Sequence, residues 1–346
     1  MKNMKFMHFN LKLIVSLLAI ILPIIILTFT PKGETNYKLQ APSLRGVRED
    51  SCIYLNPTDT NQTEATINQV GVHCLQEDFL QRRFFGAGHE FPSPHHVLIT
   101  ILGGDVTVDL MNHTIRSDGH STGIAAYMQS NMGYAERSNS AFGKETNNIT
   151  IKNGVIDLRG LGTGIKLFNY WPMYSIDDEI PKNLPSYKKT NFILENLYIK
   201  TGNIGVALEG DGNIIRNCII ESGGNAAVIL AGPNSKITNN TIILHNPFIP
   251  GSMAETFGVF GSLNLFEVQK RRAEIKSAII LHQATGTIIK GNRIEVEGKS
   301  QTRHSIYITN NSKGVLVEGN TFINTGEPTI LANGSTVILK NNIIKK

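Results

Sequence analysis

Along the second half of the chain, polar and apolar positions repeat a six-residue pattern in which asparagine sits between apolar flanks. The copies read TIKNGV (150–155), ILENLY (193–198), IIRNCI (214–219), ITNNTI (237–242), IKGNRI (289–294), VEGNTF (317–322) and ILKNNI (338–343). Thr150 fills the leading apolar slot of the first copy. The asparagines Asn153, Asn196, Asn217, Asn240, Asn292, Asn320 and Asn341 lie 43, 21, 23, 52, 28 and 21 residues apart. A short period that is enlarged in places marks a solenoid of stacked layers, not one globular core.

A polar turn and a second apolar run follow each burst: Gly164–Leu167, Gly205–Leu208, Ala227–Leu230, Ala278–Leu281, Ser305–Ile308 and Pro328–Leu331. Two or three short strands per turn of chain predict a parallel β-helix coil, with hydrogen bonds running along the solenoid axis. Val106–Leu110 is the first convincing strand, and the coils are expected over 97–346. An asparagine at each bend can donate its amide to one copy, accept from the other, and tolerate a left-handed backbone. The ladder therefore reads as structural.

Three stretches break the period: 120–147, 169–181 with the only tryptophan, Trp171, and 245–276, where 254–276 is expected to contain a helix. Loops leaving a solenoid at corresponding corners wall a groove along one face.

Composition adds little. The +5 charge counts Lys2, Lys5, Lys12, Lys345 and Lys346 at the two ends, and no Arg/Lys stripe interleaves with aromatics. Nucleic acid is disfavoured as a partner, and the basic balance supports a polyanion only weakly. The basic segment 1–12 precedes an apolar run within 13–30, as in a signal peptide or signal anchor. No small-x-small cleavage site follows, so the run is read as an uncleaved membrane anchor. Everything after residue 31 then lies outside the cytoplasm, and cleavage would leave a secreted or periplasmic chain. Residues 31–50 read as a polar linker, and 51–96 as a cap over the first coil, with a short amphipathic helix at 76–84. In an exported chain Cys52 and Cys74 are expected to form a disulfide, and Cys218 to be a stacked, buried thiol. The last coil shows no cap, so an oligomer, another partner, or charge protection from Lys345 and Lys346 is expected there.

The repeats resemble the right-handed parallel β-helix superfamily typified by pectate lyases, nearest to generic members found near bacterial envelope polysaccharide systems. DLMNHTI (109–115), NITIKNGVID (148–157) with Gly164 and Ile165, and the later asparagine-centred coils carry the resemblance; GVHCL (71–75) looks like its lead-in. The resemblance implies a single all-β solenoid domain. It leaves function open, because the superfamily holds lyases, hydrolases, epimerases, esterases and non-catalytic members. The Asn-Thr-Asp and Gly-His-Gly set of polygalacturonases is absent, as are the pectate-lyase Arg-x-Pro-x-x-Arg and the alginate-epimerase Asp-Pro-His-Asp. No family residue is carried over.

Register alone nominates candidates. If Val206/Leu208 and their counterparts point inward, their alternates point out. Lys166, Ala207, Ile229, Ile280 and Tyr307 make one row, and Phe168, Glu209, Ala231, His282 and Thr309 the next. Glu209 and His282 thus share one exposed row, with Asp211 just beyond. Asp157, Lys200 and Glu221 each follow an asparagine by four residues and should stack, while Arg303 and His304 lead into the strand at Ser305. Such a set on one groove suits removal of the proton α to a uronate carboxyl, a cation neutralising the carboxylate. Glu209 and Glu221 could instead serve glycoside hydrolysis. The catalytic candidates are thus Glu209, Glu221, His282, Arg303 and His304, and the glycan-contact candidates Asp211, Lys200, Trp171 and Tyr307. Solvated charge paired along ladders is the bland alternative. The cluster Asp105, Asp109, His113, Asp118 and His120 is assigned to structure. No zinc spacing occurs, no cofactor is indicated, and Ca²⁺ is left open. The chain reads as an extracytoplasmic carbohydrate-active protein acting on an acidic polysaccharide as lyase, epimerase or hydrolase. The alternative is a non-catalytic glycan-binding or structural solenoid.

Overall fold

Alternating strands too short to bury a face alone become stable by stacking on their counterparts one coil away. The computed structural model describes residues 51–55, 65–81, 97–117, 122–126, 146–158, 162–167, 189–224, 226–245, 276–297, 303–309, 312–323, 329–331 and 334–345. The expected basic segment, anchor and linker, the helix within 254–276, Trp171, Asp118 and His120 lie outside the described residues. Among the described residues there are 26 strands and no α-helix.

Each coil has three sides. One coil runs Ile214–Arg216, Ile219–Ser222 and Ala226–Ala231; the next runs Lys236–Thr238, Thr241–Leu244 and Lys276–His282. The first two sides form one 17-stranded sheet, since Ile149–Leu158 and Ile193–Thr201 run through both, and the third forms a 9-stranded sheet. Pairing between coils is parallel throughout, as in Ile215↔Ile237 and Ile237↔Ile289. The inward column Ile151, Leu194, Ile215, Ile237, Ile289 and Val317 is fully buried. Each such side chain contributes about 1.5–3 kcal/mol through its removal from water. Leu339 and Ile344, inward on the last described coil, are each 51% exposed.

The bend between the first and second sides corrects the single asparagine ladder to two adjacent ones. An outer row takes the left-handed backbone: Asn153 (φ 57°), Asn196 (54°), Asn217 (54°), Asn239 (56°), Gly291 (68°), Gly319 (62°) and Asn341 (51°). Asn196 donates its amide to Asn153 Oδ1 at 3.2 Å. The next residue points inward, and there Asn240, Asn292, Asn320 and Asn342 make the second ladder. The backbone N–H and the Nδ2 of Asn240 both donate to Asn292 Oδ1, at 2.9 and 3.0 Å. Asn292 repeats this onto Asn320 at 2.9 and 2.9 Å, and Asn320 onto Asn342 at 3.0 and 3.1 Å. Each amide also caps a carbonyl, Asn292 reaching Ile237 O at 2.9 Å. Cys218 occupies the same inward slot one coil before Asn240, and its N–H donates to Asn240 Oδ1. Burial pushes its thiol up to about 12, so the sulfur is an inert filler.

The solenoid reaches back past residue 97. Gly71–Leu75 pairs with Val106–Asp109, and Ala65–Ile67 with Val97–Ile101. Within the stretch expected to be helical, Phe79–Gln81 is instead a strand paired with Ile115–Ser117. Phe79 stacks on Ile115, both buried, and this core slot outweighs the local helical pattern. Cys52 and Cys74 are joined by a disulfide between neighbouring strands, with Cα atoms 5.7 Å apart.

The third side is buried on both faces. Val228, Ile279 and Ile306 point into the core, while the outward Ala207, Ile229 and Ile280 are 3%, 4% and 0% exposed. The row expected to be open to solvent is therefore covered.

The two asparagine ladders should respond differently to substitution. Asn292→Ala orphans several buried backbone and amide groups, at about 1–3 kcal/mol each, and should lower the urea-unfolding free energy by at least about 3 kcal/mol. Asn239→Gly should change it by less than about 1 kcal/mol, because glycine suits a left-handed turn and already fills that row at Gly291 and Gly319.

Candidate functional site

On the second side, one outward column runs Arg116, Asp157, Lys200, Glu221, Ile243 and Glu295 on consecutive coils. Glu221 and Ile243 are each only 6% exposed although they point away from the core, so their outer side is covered. Tyr198 lies two residues before Lys200 on the same strand face, and its hydroxyl donates to Glu221 Oε1 at 3.0 Å. His245, two beyond Ile243, places Nε2 2.9 Å from Glu221 Oε2 and Nδ1 3.0 Å from Glu297 Oε2. Four consecutive coils thus contribute one group each to a phenol–carboxylate–imidazole–carboxylate chain.

The electrostatics follow from these contacts. Burial pulls the Glu221 carboxyl upward. Hydrogen bonds from His245 and Tyr198, with the charges of His245 and Lys200, outweigh that and hold it below its ordinary value. The hydrogen bond to Glu221 lifts the His245 imidazole above its ordinary value, burial opposes this, and Glu297 adds to the rise. Both shifts favour the carboxylate–imidazolium form of the pair. Lys200, one coil away, is exposed.

The nominated residues do not gather in one place. Glu209 and His282 share an outward row on the third side, with Ala231 on the coil between them. They are buried, at 1% and 6% exposure, which corrects the exposed row expected for them. The cause is the apolar run beside them, which needs cover from water on its outer face. Burial lowers His282 to about 4, leaving a neutral ring 3.1 Å from Thr309 Oγ1 on the next coil. Arg303 and His304 open the strand Arg303–Ile308, where His304 registers with Ser277. That row lies five residues, about 17 Å along a strand, from the His282 row. Glu221 sits round the corner on the second side. Tyr307 packs on the apolar cluster of Ala207, Ile229 and Ile280. Asp211 is built into a turn, its Oδ1 accepting from Asn234 at 2.9 Å. Among the described nominated residues, only Glu221 and Lys200 lie together, on adjacent coils of this column.

Tyr198, His245 and Glu297 escaped sequence reasoning, yet the signal was present. Each sits two residues from a member of the Lys200–Glu221–Ile243–Glu295 column, which in a strand means the same face. Among the described residues, no group of three or more His, Cys, Asp or Glu is arranged to hold a metal ion.

Residues 186–346 match the family model described as right handed beta helix region. The described coils form a parallel β-helix, right-handed by this match over 186–346. Two solved structures resemble this β-helix. The enzymatically active domain of bacteriophage CBA120 tailspike protein 2 is 12% identical, with a TM-score of 0.46 over 84% of this chain. Full-length tailspike protein 2, from an Escherichia coli O157:H7 bacteriophage, is 13% identical, with a TM-score of 0.32 over 72%. The β-helix spans 38% and 35% of those chains. At that similarity neither speaks to its chemistry. No curated protein matches the sequence.

The pH dependence has two signs. The Glu221 contribution is present above its ordinary value of 4.5 and is lost as pH falls through its depressed folded value. The His245 contribution is present below 6.5 and is lost as pH rises through its raised folded value. The network is whole between the two. In an NMR titration the His245 ring should therefore show a midpoint above 6.5 that falls in Glu221→Gln.

Proposed function

We propose that this β-helix acts on an acidic polysaccharide outside the cytoplasm, as a lyase working by proton transfer at Tyr198, Glu221 and His245. One observation carries the reading: a buried, outward-pointing carboxylate held between a phenol and an imidazole, with the exposed Lys200 on the adjoining coil. Lys200 pairs with the carboxylate of a uronate residue and makes the neighbouring C–H more acidic. Tyr198 takes that proton as its own passes to Glu221, and His245 gives a proton to the departing glycosidic oxygen. The C–H and C–O bonds break and a C=C bond forms. Glu221 ends with the proton that Tyr198 released, His245 ends one proton short at Nε2, and transfer from Glu221 to Nε2 across their contact resets the site. Epimerisation would share the first step and return a proton to the opposite face.

Location outside the cytoplasm is supported by the basic segment ahead of the apolar run in 13–30. The Cys52–Cys74 disulfide suits an oxidising compartment.

The test is a panel of uronate-rich glycans, followed by ultraviolet absorbance of unsaturated products and by retention on affinity gels. Absorbance should rise with wild type. Tyr198→Phe and His245→Ala should cut kcat at least about 100-fold, while Lys200→Ala should both raise KM and lower kcat. Retention without turnover would transfer the protein to the glycan-binding reading, and neither signal on any acidic glycan would sink the proposal.

A further inference from the structure

The first side of the coil carries an outward apolar column that the proposed chemistry does not use. Register stacks Thr150, Ile193, Ile214, Lys236, Ile288 and Leu316 on six consecutive coils. The four apolar members are half-buried although each is stacked between coils above and below. Ile338, which continues the column on the last described coil, is 48% exposed. Outward isoleucines on the third side, by contrast, are 0% and 4% exposed. The third side is covered, and this face is open.

Two residues along each strand runs a polar column: Lys152, Glu195, Arg216, Thr238, Lys290 and Glu318. Within the chain Arg216 pairs with Glu195, and Lys290 with Glu318 at 3.0 Å. Ion pairing between coils accounts for the alternation of charge, but not for the apolar column beside it.

The alternation has a consequence for symmetry. Reversed about the gap between the Arg216 and Thr238 coils, the polar column sets Lys152 against Glu318, Glu195 against Lys290, and Arg216 against Thr238. Every charge meets an opposite charge or a neutral group. The apolar column reverses with it, setting Ile193 against Ile288 and Thr150 against Leu316. Ile214 then faces Lys236, whose aliphatic stem can lie along it. A two-fold axis lying across the sheet, perpendicular to the solenoid axis, performs this operation on a second copy. A two-fold along the polar column would set each coil against itself and like charge against like, which is destabilising. Sliding the antiparallel pair by one coil does the same, placing Glu195 against Glu318 and Arg216 against Lys290. We propose that this face docks a second copy of the chain in an antiparallel, two-fold dimer with Ile193 packed on Ile288 of its partner.

Six coils span only about 29 Å, so the contact is modest and the dimer should dissociate on dilution. Sedimentation of the full chain should show a concentration-dependent dimer that weakens with salt. Ile193→Arg, which sets a cation against Ile288 and beside Lys236 of the partner, should sediment as a monomer with an unchanged circular dichroism spectrum. Orientation is read by cross-linking with a short bis-maleimide. Packed sheets lie about 10 Å apart, whereas Ile193 and Ile288, three coils apart in one chain, are separated by about 14 Å. The double variant Ile193→Cys/Ile288→Cys should give a covalent dimer and each single variant should not. The native cysteines do not interfere, since Cys218 is buried and Cys52 and Cys74 are bonded. A chain monomeric at every concentration overturns the proposal. So does a dimer that survives Ile193→Arg, or one in which the single variants cross-link as well as the double.

Discussion

The buried amides of Asn240, Asn292, Asn320 and Asn342 fix how one coil sits on the next. Each caps a carbonyl of the preceding coil and is linked to the amide of its neighbour, so a slip of one residue between coils would break every link in the row. In a parallel stack a slip also turns every inward side chain outward. The ladder therefore sets the register that carries the isoleucine columns inside and the charge columns outside. It runs only where the chain supplies an asparagine behind the left-handed residue. Before Asn240 the same slot holds Cys218 and Leu197, and there the core packs without amides.

The outer columns obey the same constraint. Charges one coil apart pair when they are opposite, as Arg116 with Asp157 and Lys290 with Glu318. Where the pattern changes at Ile243, the column stops being a simple ion-pair ladder. His245 and Glu297 then reach back along the corner, and Glu221 is held between Tyr198 and the imidazole. Chemistry on this scaffold comes from a fault in a regular surface, held rigid by the regularity around it.

Much of the fold was legible because a repeat announces itself through spacing. The solenoid, its parallel strands and the rows containing Glu209, His282, Lys200 and Glu221 follow from period and alternation alone. The corner was harder to read. Asn-Asn and Gly-Asn pairs at 239–240, 291–292 and 319–320 hide two rows in one motif, since only backbone angles tell which member bends the chain. The third side failed for a different reason. Alternation assigned Ile229 and Ile280 to solvent, whereas the unbroken apolar runs AAVILA (226–231) and AIIL (278–281) mark parallel strands buried on both faces. Reading those runs as doubly buried would have removed Glu209 and His282 from the exposed set. His245 was missed because it closes a strand beside a break in the period, where its row is not defined by its own repeat.

Tyr198, Glu221 and His245 act as one hydrogen-bonded unit across adjoining coils. A double-mutant cycle on unfolding free energy, with Tyr198→Phe, His245→Gln and the pair, measures that unit without requiring a substrate. If Glu221 links the two groups, the changes should depart from additivity by about 0.5–3 kcal/mol. In a Glu221→Gln background that coupling should shrink. Strict additivity in the native background, with Tyr198 and His245 contributing independently, would contradict the account.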